Sequence, residues 1–287
     1  MLGMTCGLTT SKASVVVLPV SPINLFRCQR KRFLRRKAQD DQVFYLGVSE
    51  PAWLKRLEVP LFISRTRLAR RKTFPQALGR WALDSGGFTQ LHKYGEWNLS
   101  VTDYVSEVRR YVDEIGNLDW VAPQDWMCEP TAREMTGLSV ARHQQLTVEN
   151  FLELRDALGM LVVPVLQGWD FDDYGRCVDL FYEYGVCLEE EPVIGLGSVC
   201  RRDSDRQITQ IIEALYPLNL HAFGVKGKAY VANTHLLTSA DSMAWSYQAR
   251  RNPPLPECTH RCCNNCAKFA LAWRKRLLDR TNQMRLL

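Results

Sequence analysis

Trp81-Ala82-Leu83-Asp84-Ser85-Gly86-Gly87-Phe88 is a short apolar run that stops on a carboxylate and turns at once through two glycines. Such a run reads as a buried strand. The glycines let the backbone turn sharply and approach a flat ligand without interference from a Cβ. Alone, an Asp-Ser-Gly-Gly turn would serve equally as a plain Asx turn. Its weight comes from repetition along the chain. Seven more apolar runs stand at Val43–Val48, Leu61–Ser64, Trp120–Pro123, Leu161–Leu166, Val193–Leu196, Ala222–Val225 and Thr238–Ala240. Most of the runs give way to a polar residue, at Ser64, Asp84, Asp125, Gln167, Ser198, Lys226 and Asp241.

Helical patterns fill the intervals. Tyr104, Val105, Val108, Tyr111, Val112 and Ile115 share one helical face, with Asp103 as the expected N-cap. Residues 139–158 and Phe171–Tyr184 read as helices, the latter stopped by Gly185. Ile208, Ile211, Ile212 and Leu215 mark another, and Asn265–Leu278 a last one with Phe269 and Trp273 on one face. Eight strands alternating with helices predict an α/β fold. The expected form is a (β/α)8 TIM barrel over residues 43–287, carrying a C-terminal zinc-binding segment. A doubly wound open sheet is the structural alternative. In a barrel the C-terminal strand ends form the active face, so seven polar ends, three with carboxylates, are expected to converge there.

The chain has 287 residues, 46% hydrophobic and 24% charged, ample for one large core. No apolar run approaches the roughly 20 residues of a membrane helix. A soluble, cytoplasmic protein without a membrane partner is therefore expected. The formal charge is +6, yet residues 1–39 hold no acid and eight basic residues, leaving 29 basic against 31 acidic in the rest. Residues 1–42 are read as a basic, disordered leader. Its run Arg30–Lys37 can also hold phosphates nonspecifically, and its composition is that of a transit peptide too.

Beyond the first turn come Gln124-Asp125, Val165-Leu166-Gln167-Gly168 and Gly195-Leu196-Gly197-Ser198-Val199. A carboxylate accepts from N1–H and N2–H of a guanine edge, while a Gln amide and backbone N–H groups donate to O6 and N7. Singly, each piece is also an ordinary satisfied strand end. Asp241 can cap a helix or act as a nucleophile at an anomeric carbon.

The order of the pieces is more specific than any one of them. Asp84-Ser85-Gly86-Gly87-Phe88, Asp125, Leu166-Gln167-Gly168, Gly195-Leu196-Gly197, Phe223-Gly224-Val225, Asp241 and then a cysteine cluster resemble the tRNA-guanine transglycosylase superfamily over about residues 43–275. Gly197-Ser198-Val199 and Ala240-Asp241-Ser242-Met243-Ala244-Trp245 look closer to the deazapurine DNA-modification transglycosylases. The resemblance implies exchange of guanine in DNA for a 7-deazaguanine such as 7-cyano-7-deazaguanine, with tRNA as the alternative polymer. It implies Asp241 as nucleophile and Asp84 as general acid/base. Ser85, Gly86, Asp125, Gln167, Gly168 and the Gly197 backbone would bind the base. Lys226 is expected at the nucleic-acid backbone, and partner proteins of a DNA-modification system are expected beside the DNA. Thr89, where the tRNA enzymes usually have Gln, and the Gly195–Val199 loop depart from the tRNA enzymes and bear on which base enters. A non-catalytic zinc-bearing nucleic-acid binder and an unrelated TIM-barrel enzyme are the rival readings. Both carboxylates at strand ends speak against the pure binder.

Four of the ten cysteines fall within Cys258–Cys266. C-x-x-C spacing in so short a stretch favours a metal over disulfides. Cys258, His260, Cys263 and Cys266 are the expected ligands of a structural zinc, with Cys262 as competitor and His235 as a substitute for His260. Four protein ligands leave no open position, so a catalytic zinc is not expected. His92, His143 and His221 lack ligand-spaced partners and read as packing or surface residues. Trp81, Trp120, Trp126 and Trp169 read as core, with one available to stack on a base. Asp119, Asp172 and Asp173 read as turns or caps.

Overall fold

In the computed structural model, which describes residues 42–200, 202 and 204–285, eight short strands run parallel in one curled sheet. The strands are β1 Val43–Val48, β2 Leu61–Ser64, β3 Trp81–Asp84, β4 Leu118–Val121, β5 Val165–Leu166, β6 Ile194–Leu196, β7 Leu220–Ala222 and β8 Ser239–Ser242. Their order is β4-β3-β2-β1-β8-β7-β6-β5. At the two edges, Val121 makes an isolated parallel bridge to Val162, and the Val163 N–H donates to the Val121 carbonyl at 3.1 Å. Residues 1–41 lie outside the described residues, and with them nearly all of the expected leader.

Nine α-helices are present among the described residues, seven between strands, α1 Gly87–Tyr94, α2 Val101–Ile115, α3 Pro130–Thr136, α4 Val140–Leu158, α5 Phe171–Glu183, α6 Asp205–Leu215 and α7 Gly227–Asn233, and two after β8, α8 Ala244–Ala249 and α9 Ala267–Arg285. None is long and apolar enough to cross a membrane.

All eight expected strands form, and two sit further toward the N-terminus than the apolar runs indicated. β4 stops at Val121, since Pro123 has no N–H to give a ladder. β7 stops at Ala222 because Gly224 takes a left-handed φ of 57° and turns the chain away. The N-cap of α2 is Ser100, not Asp103. Ser100 is extended and its hydroxyl accepts the Asp103 N–H at 3.0 Å, which places Asp103 inside the first turn. α9 begins at Ala267 rather than Asn265, because the tight turn in which the Cys266 N–H meets the Cys263 carbonyl occupies the preceding residues.

Side chains alternate across each strand. Phe44, Leu46, Ile63 and Leu83 join the large core under the helices. Tyr45, Phe62, Ala82, Trp120 and Val163 form a second cluster on the other face. Near the N-terminal strand ends this inner column closes on a polar knot. The Tyr45 hydroxyl donates to Asp119 at 2.7 Å, Arg80 donates to the same carboxylate at 2.5 Å, and the Trp120 indole donates to Tyr45 at 3.1 Å. Asp119 is therefore a strand residue, not a turn. Asp173 does cap, closing the capping box of α5 with Asp170. The opposite ends of the strands are left for a site.

The last helix anchors the sheet from outside. Phe269, Trp273 and Leu277 of α9 are buried, and Arg274 donates to the Phe44 carbonyl of β1 at 3.1 Å. Trp245 of α8 stacks on Trp53 and donates to the Gly47 carbonyl at 2.8 Å.

Candidate active site

Ser64, Asp84, Asp125, Gln167, Ser198, Lys226 and Asp241, the seven polar strand ends, line one cavity of about 740 Å³. Ser85 and Gly197 line it as well. Gly86 and Gly168 do not. Gly86 takes a φ of 82° as the cap that starts α1, and a Cβ on Gly168 would sit 2.8 Å from that of Asp173. Those two glycines shape the backbone behind the site.

Asp84 ends β3 in register with Ser64 of β2. Its carboxyl is held above the ordinary range, first by burial and also by the charge of Asp241. Hydrogen bonds from the Ser64 hydroxyl and the Gly86 N–H oppose that shift. Asp241 lies within β8, paired with Tyr45 of β1, and its Oδ1 accepts the Gly224 N–H at 2.7 Å. The two carboxylates thus stand across one cavity, each in the field of the other.

Asp125 follows β4 and is gripped from two sides. The Ser85 hydroxyl donates to Oδ1 at 2.9 Å, and Gln167 Nε2 donates to Oδ2 at 2.6 Å. Burial pushes its pKa up to about 7, with the charge of Asp84 adding to the rise and the two donors limiting it. Gln167 is held in turn at its other end, where Oε1 accepts the Ser198 hydroxyl at 2.8 Å. The Cys128 N–H donates to the same hydroxyl at 2.9 Å. Gly197 makes room for this chain of bonds, because a Cβ there would collide with the Gln167 amide. Ser198 takes a φ of 55°, a conformation that a side chain normally avoids and that a functional loop can sustain. Lys226 Nζ donates to the Arg202 carbonyl at 2.5 Å, so the ammonium is tied to the loop after β6.

Two buried groups at the site escaped sequence reasoning. Glu129, the N-cap of α3, lines the cavity 3.1 Å from the Ser198 hydroxyl. Only Pro130, a residue suited to a helix start, marks its place. His221 lies in β7 with Nε2 3.4 Å from Asp241 Oδ1. Its signal was the two-residue spacing to Phe223, hidden because the apolar run placed that strand two residues too late. Among the described residues no tryptophan lines the cavity, so the base-stacking role left open for one of them is not filled. Among the described residues, the rings lining the cavity are Phe62, Phe88, Phe223 and Tyr247. Trp81, Trp120 and Trp126 are buried in the core, and half-buried Trp169 packs under the Arg202 guanidinium.

Cys258, His260, Cys263 and Cys266 bring one ligand atom each within 4.8 Å of one another. The Cys258 and Cys266 sulfurs are 3.8 Å apart, and His260 Nε2 is 3.1 Å from the Cys263 sulfur. A tetrahedron with metal–sulfur bonds of about 2.3 Å has sulfur–sulfur edges of about 3.8 Å. The set can hold a metal, and three soft sulfurs with one imidazole suit zinc. Cys262 is not in the group; its thiol faces the Ala249 carbonyl at 3.5 Å.

Among solved structures, the chain is similar to oxaloacetate acetylhydrolase in complex with the inhibitor 3,3-difluorooxalacetate. The identity is 13%, over 78% of this chain and 83% of that one, with a TM-score of 0.44. It is similar also to xylanase B from Clostridium stercorarium F9, at 12% identity over 71% and 86% of the two chains and a TM-score of 0.39. A third, 2,3-dimethylmalate lyase, is 12% identical over 92% and 96%, with a TM-score of 0.38. These likenesses are too loose to bear on function. No curated protein matches the chain. A family model described as DpdA, DeoxyPurine in DNA protein A, matches residues 40–286, nearly the whole length, and the chain belongs to that family.

Proposed function

We propose that the chain is a transglycosylase that exchanges guanine in DNA for a 7-deazaguanine, with residues 43–287 as the catalytic unit. The observation that carries this reading is the meeting of Asp84, Asp125 and Asp241, the three carboxylates from strand ends, with the Gln167 amide in one cavity. The family's own description, deoxypurine in DNA, favours DNA over tRNA as the polymer. The Val121–Val162 bridge supports reading the curled sheet as a closed (β/α)8 barrel, whose chemistry sits at that end.

The steps follow from the residues. The Asp241 carboxylate attacks C1′, the C1′–N9 bond breaks, and its electron pair leaves with guanine, which takes a proton managed by Asp84. In the second displacement Asp84 takes the proton from N9 of the incoming base. The base then attacks C1′ and frees Asp241. A carboxylate is suited to the oxocarbenium-like state on both passages, and the covalent sugar ester divides one hard substitution into two. Burial and the neighbouring charge hold Asp84 nearer neutrality, as a group that both gives and takes a proton requires. Asp125 and Gln167 read the base edge, Ser198 orients Gln167, and Lys226 stands toward the phosphate backbone. A guanine paired in duplex DNA must leave its stack to reach the cavity, at a cost of a few kcal/mol. A metal held by Cys258, His260, Cys263 and Cys266 would have four protein ligands and no open position, and would serve structure.

The reading is tested by incubating the protein with DNA or tRNA carrying radiolabelled guanine and with unlabelled 7-cyano-7-deazaguanine. Release of label from DNA supports it; release from tRNA alone moves the polymer; release from neither sinks it.

Two further results are expected. Guanine N1–H and N2–H need an ionised acceptor, so kcat/KM for exchange should fall about tenfold per pH unit as pH drops below the Asp125 value near 7. A flat profile from pH 5.5 to 8 would remove ionised Asp125 as the reader. Gly197→Ala should displace the Gln167 amide. Because the colliding atoms are the movable end of a side chain, the thermal midpoint should hardly change, while kcat/KM falls by roughly 10²-fold through lost positioning. Unaltered kinetics in that variant would take the Gln167 network out of base recognition.

A further inference from the structure

His221 is fully buried beneath Asp241, and its surroundings are unusual for an imidazole. Its ring centroid lies 4.6 Å from that of Trp120, 4.9 Å from Phe223, 5.6 Å from Phe62 and 5.8 Å from Tyr45. Two polar groups meet it. Nδ1 is 2.9 Å from the Ser239 hydroxyl, whereas buried Nε2 makes no hydrogen bond and has Asp241 Oδ1 beside it at 3.4 Å. A packing histidine does not need a carboxylate at one nitrogen and a hydroxyl at the other. If Nδ1 carried the proton, the Nε2 lone pair would point at a carboxylate oxygen. The favourable arrangement has the Ser239 O–H donating to Nδ1 and the proton on Nε2.

We propose that His221 is a positioning residue for Asp241: fixed by Ser239 as the neutral Nε2–H tautomer, it donates to Oδ1. That oxygen then takes donors from His221 and from the Gly224 N–H. Oδ2 is left as the oxygen that forms the bond to C1′. Burial keeps the imidazole below its ordinary pKa although Asp241 opposes the shift, which agrees with a neutral ring. A neutral donor restrains the carboxylate without the strong ion pair that would quench its nucleophilicity. The restraint comes from inside the sheet, so it is present before any substrate arrives. The role rests on the reading of Asp241 as nucleophile, while the contact itself does not.

Two measurements decide it. The first uses no substrate. In the full chain with ¹⁵N-labelled histidine, the His221 signals, assigned by their loss in His221→Gln, should show a protonated Nε2 and a bare Nδ1 at pH 7. The Nε2 signal should shift in Asp241→Asn. An imidazolium, the opposite tautomer or an unmoved signal would overturn the contact. The second is exchange kinetics. His221→Phe, which fills the space without a donor, should lower kcat about 10²-fold with KM within about threefold. His221→Gln, whose amide reaches the same position, should recover most of that loss. Wild-type kcat in His221→Phe, or a loss confined to KM, would overturn the role even while Asp241→Asn remains inactive. If His221→Phe fails to fold, the Gln variant and the tautomer still decide. If the wild type shows no exchange at all, the functional reading falls, and the ¹⁵N result decides the His221–Asp241 contact by itself.

Discussion

Asp241→Asn is expected to lower base exchange by about 10⁴-fold or more while moving the thermal midpoint by no more than a few degrees. An amide cannot form the sugar ester, so the first displacement loses its nucleophile and the second its leaving group. The fold has no reason to follow. Asn has the same shape, its oxygen still accepts the Gly224 N–H, and the paired residues of β1 and β8 are untouched. The substitution also removes the charge that, after burial, lifts the Asp84 carboxyl, so what activity survives should have its Asp84-dependent limb at lower pH. A second readout avoids turnover altogether. With DNA but no incoming base, wild type should accumulate a protein–DNA adduct that survives denaturation, and Asp241→Asn should form none. Exchange at the wild-type rate in this variant would remove Asp241 as nucleophile. An adduct formed by the variant would move the covalent bond to another side chain.

The experiment is sharp because Asp241 was legible in the sequence alone as a carboxylate at the end of a strand. Residues at the C-terminal ends of parallel strands share one face whatever their separation along the chain. Ser64 and Asp241 are far apart in sequence, yet the rule brings both to one cavity, together with the five other polar strand ends. Apolar runs located every strand, since buried strands need no polar alternation to be seen. Their ends were less legible. Pro123 and Gly224 stop ladders through missing donors and left-handed backbone, effects that an apolar count ignores. That two-residue error on β7 hid His221, which was read as ordinary packing. Glu129 stayed hidden for another reason. It enters the site from a loop, and no periodicity tells which way a loop residue points. The choice between Cys262 and Cys263 likewise needed three dimensions. Adjacent cysteines have the same spacing pattern, and only the turn at Cys263–Cys266 directs one sulfur inward.

Removal of the metal should act on stability rather than on chemistry. Between α8 and α9 the chain from Arg250 to Cys266 has neither helix nor strand, and it includes Pro253, Pro254 and Pro256. No backbone ladder holds this stretch. What fixes it are a few bonds, such as the Ser246 hydroxyl to the Asn264 carbonyl at 2.7 Å, and the convergence of Cys258, His260, Cys263 and Cys266. Zinc binding by isolated finger peptides is worth about 10–16 kcal/mol, but there it folds the whole peptide. Here α9 keeps its own apolar face on the sheet through Phe269, Trp273 and Leu277, so only the knuckle and the start of α9 would depend on a bound ion. A loss of about 3–5 kcal/mol, or roughly 10 °C in thermal midpoint, is expected for Cys266→Ser or for chelation. Bound zinc, measured by mass spectrometry of the metal, should fall below one per chain in the variant. Exchange assayed well below the new midpoint should persist, because Asp84 and Asp241 take their places from strands and Asp125 from its bonds to Ser85 and Gln167, none of them from the knuckle. Cys262→Ser is the matched control, since its sulfur faces the Ala249 carbonyl instead of the cluster, and it should leave metal content and midpoint near wild type. Equal losses in the two variants would exchange the ligand assignment. An unchanged zinc content and midpoint in Cys266→Ser would leave α9 anchored by packing alone, and the knuckle would then owe its shape to the chain and not to an ion.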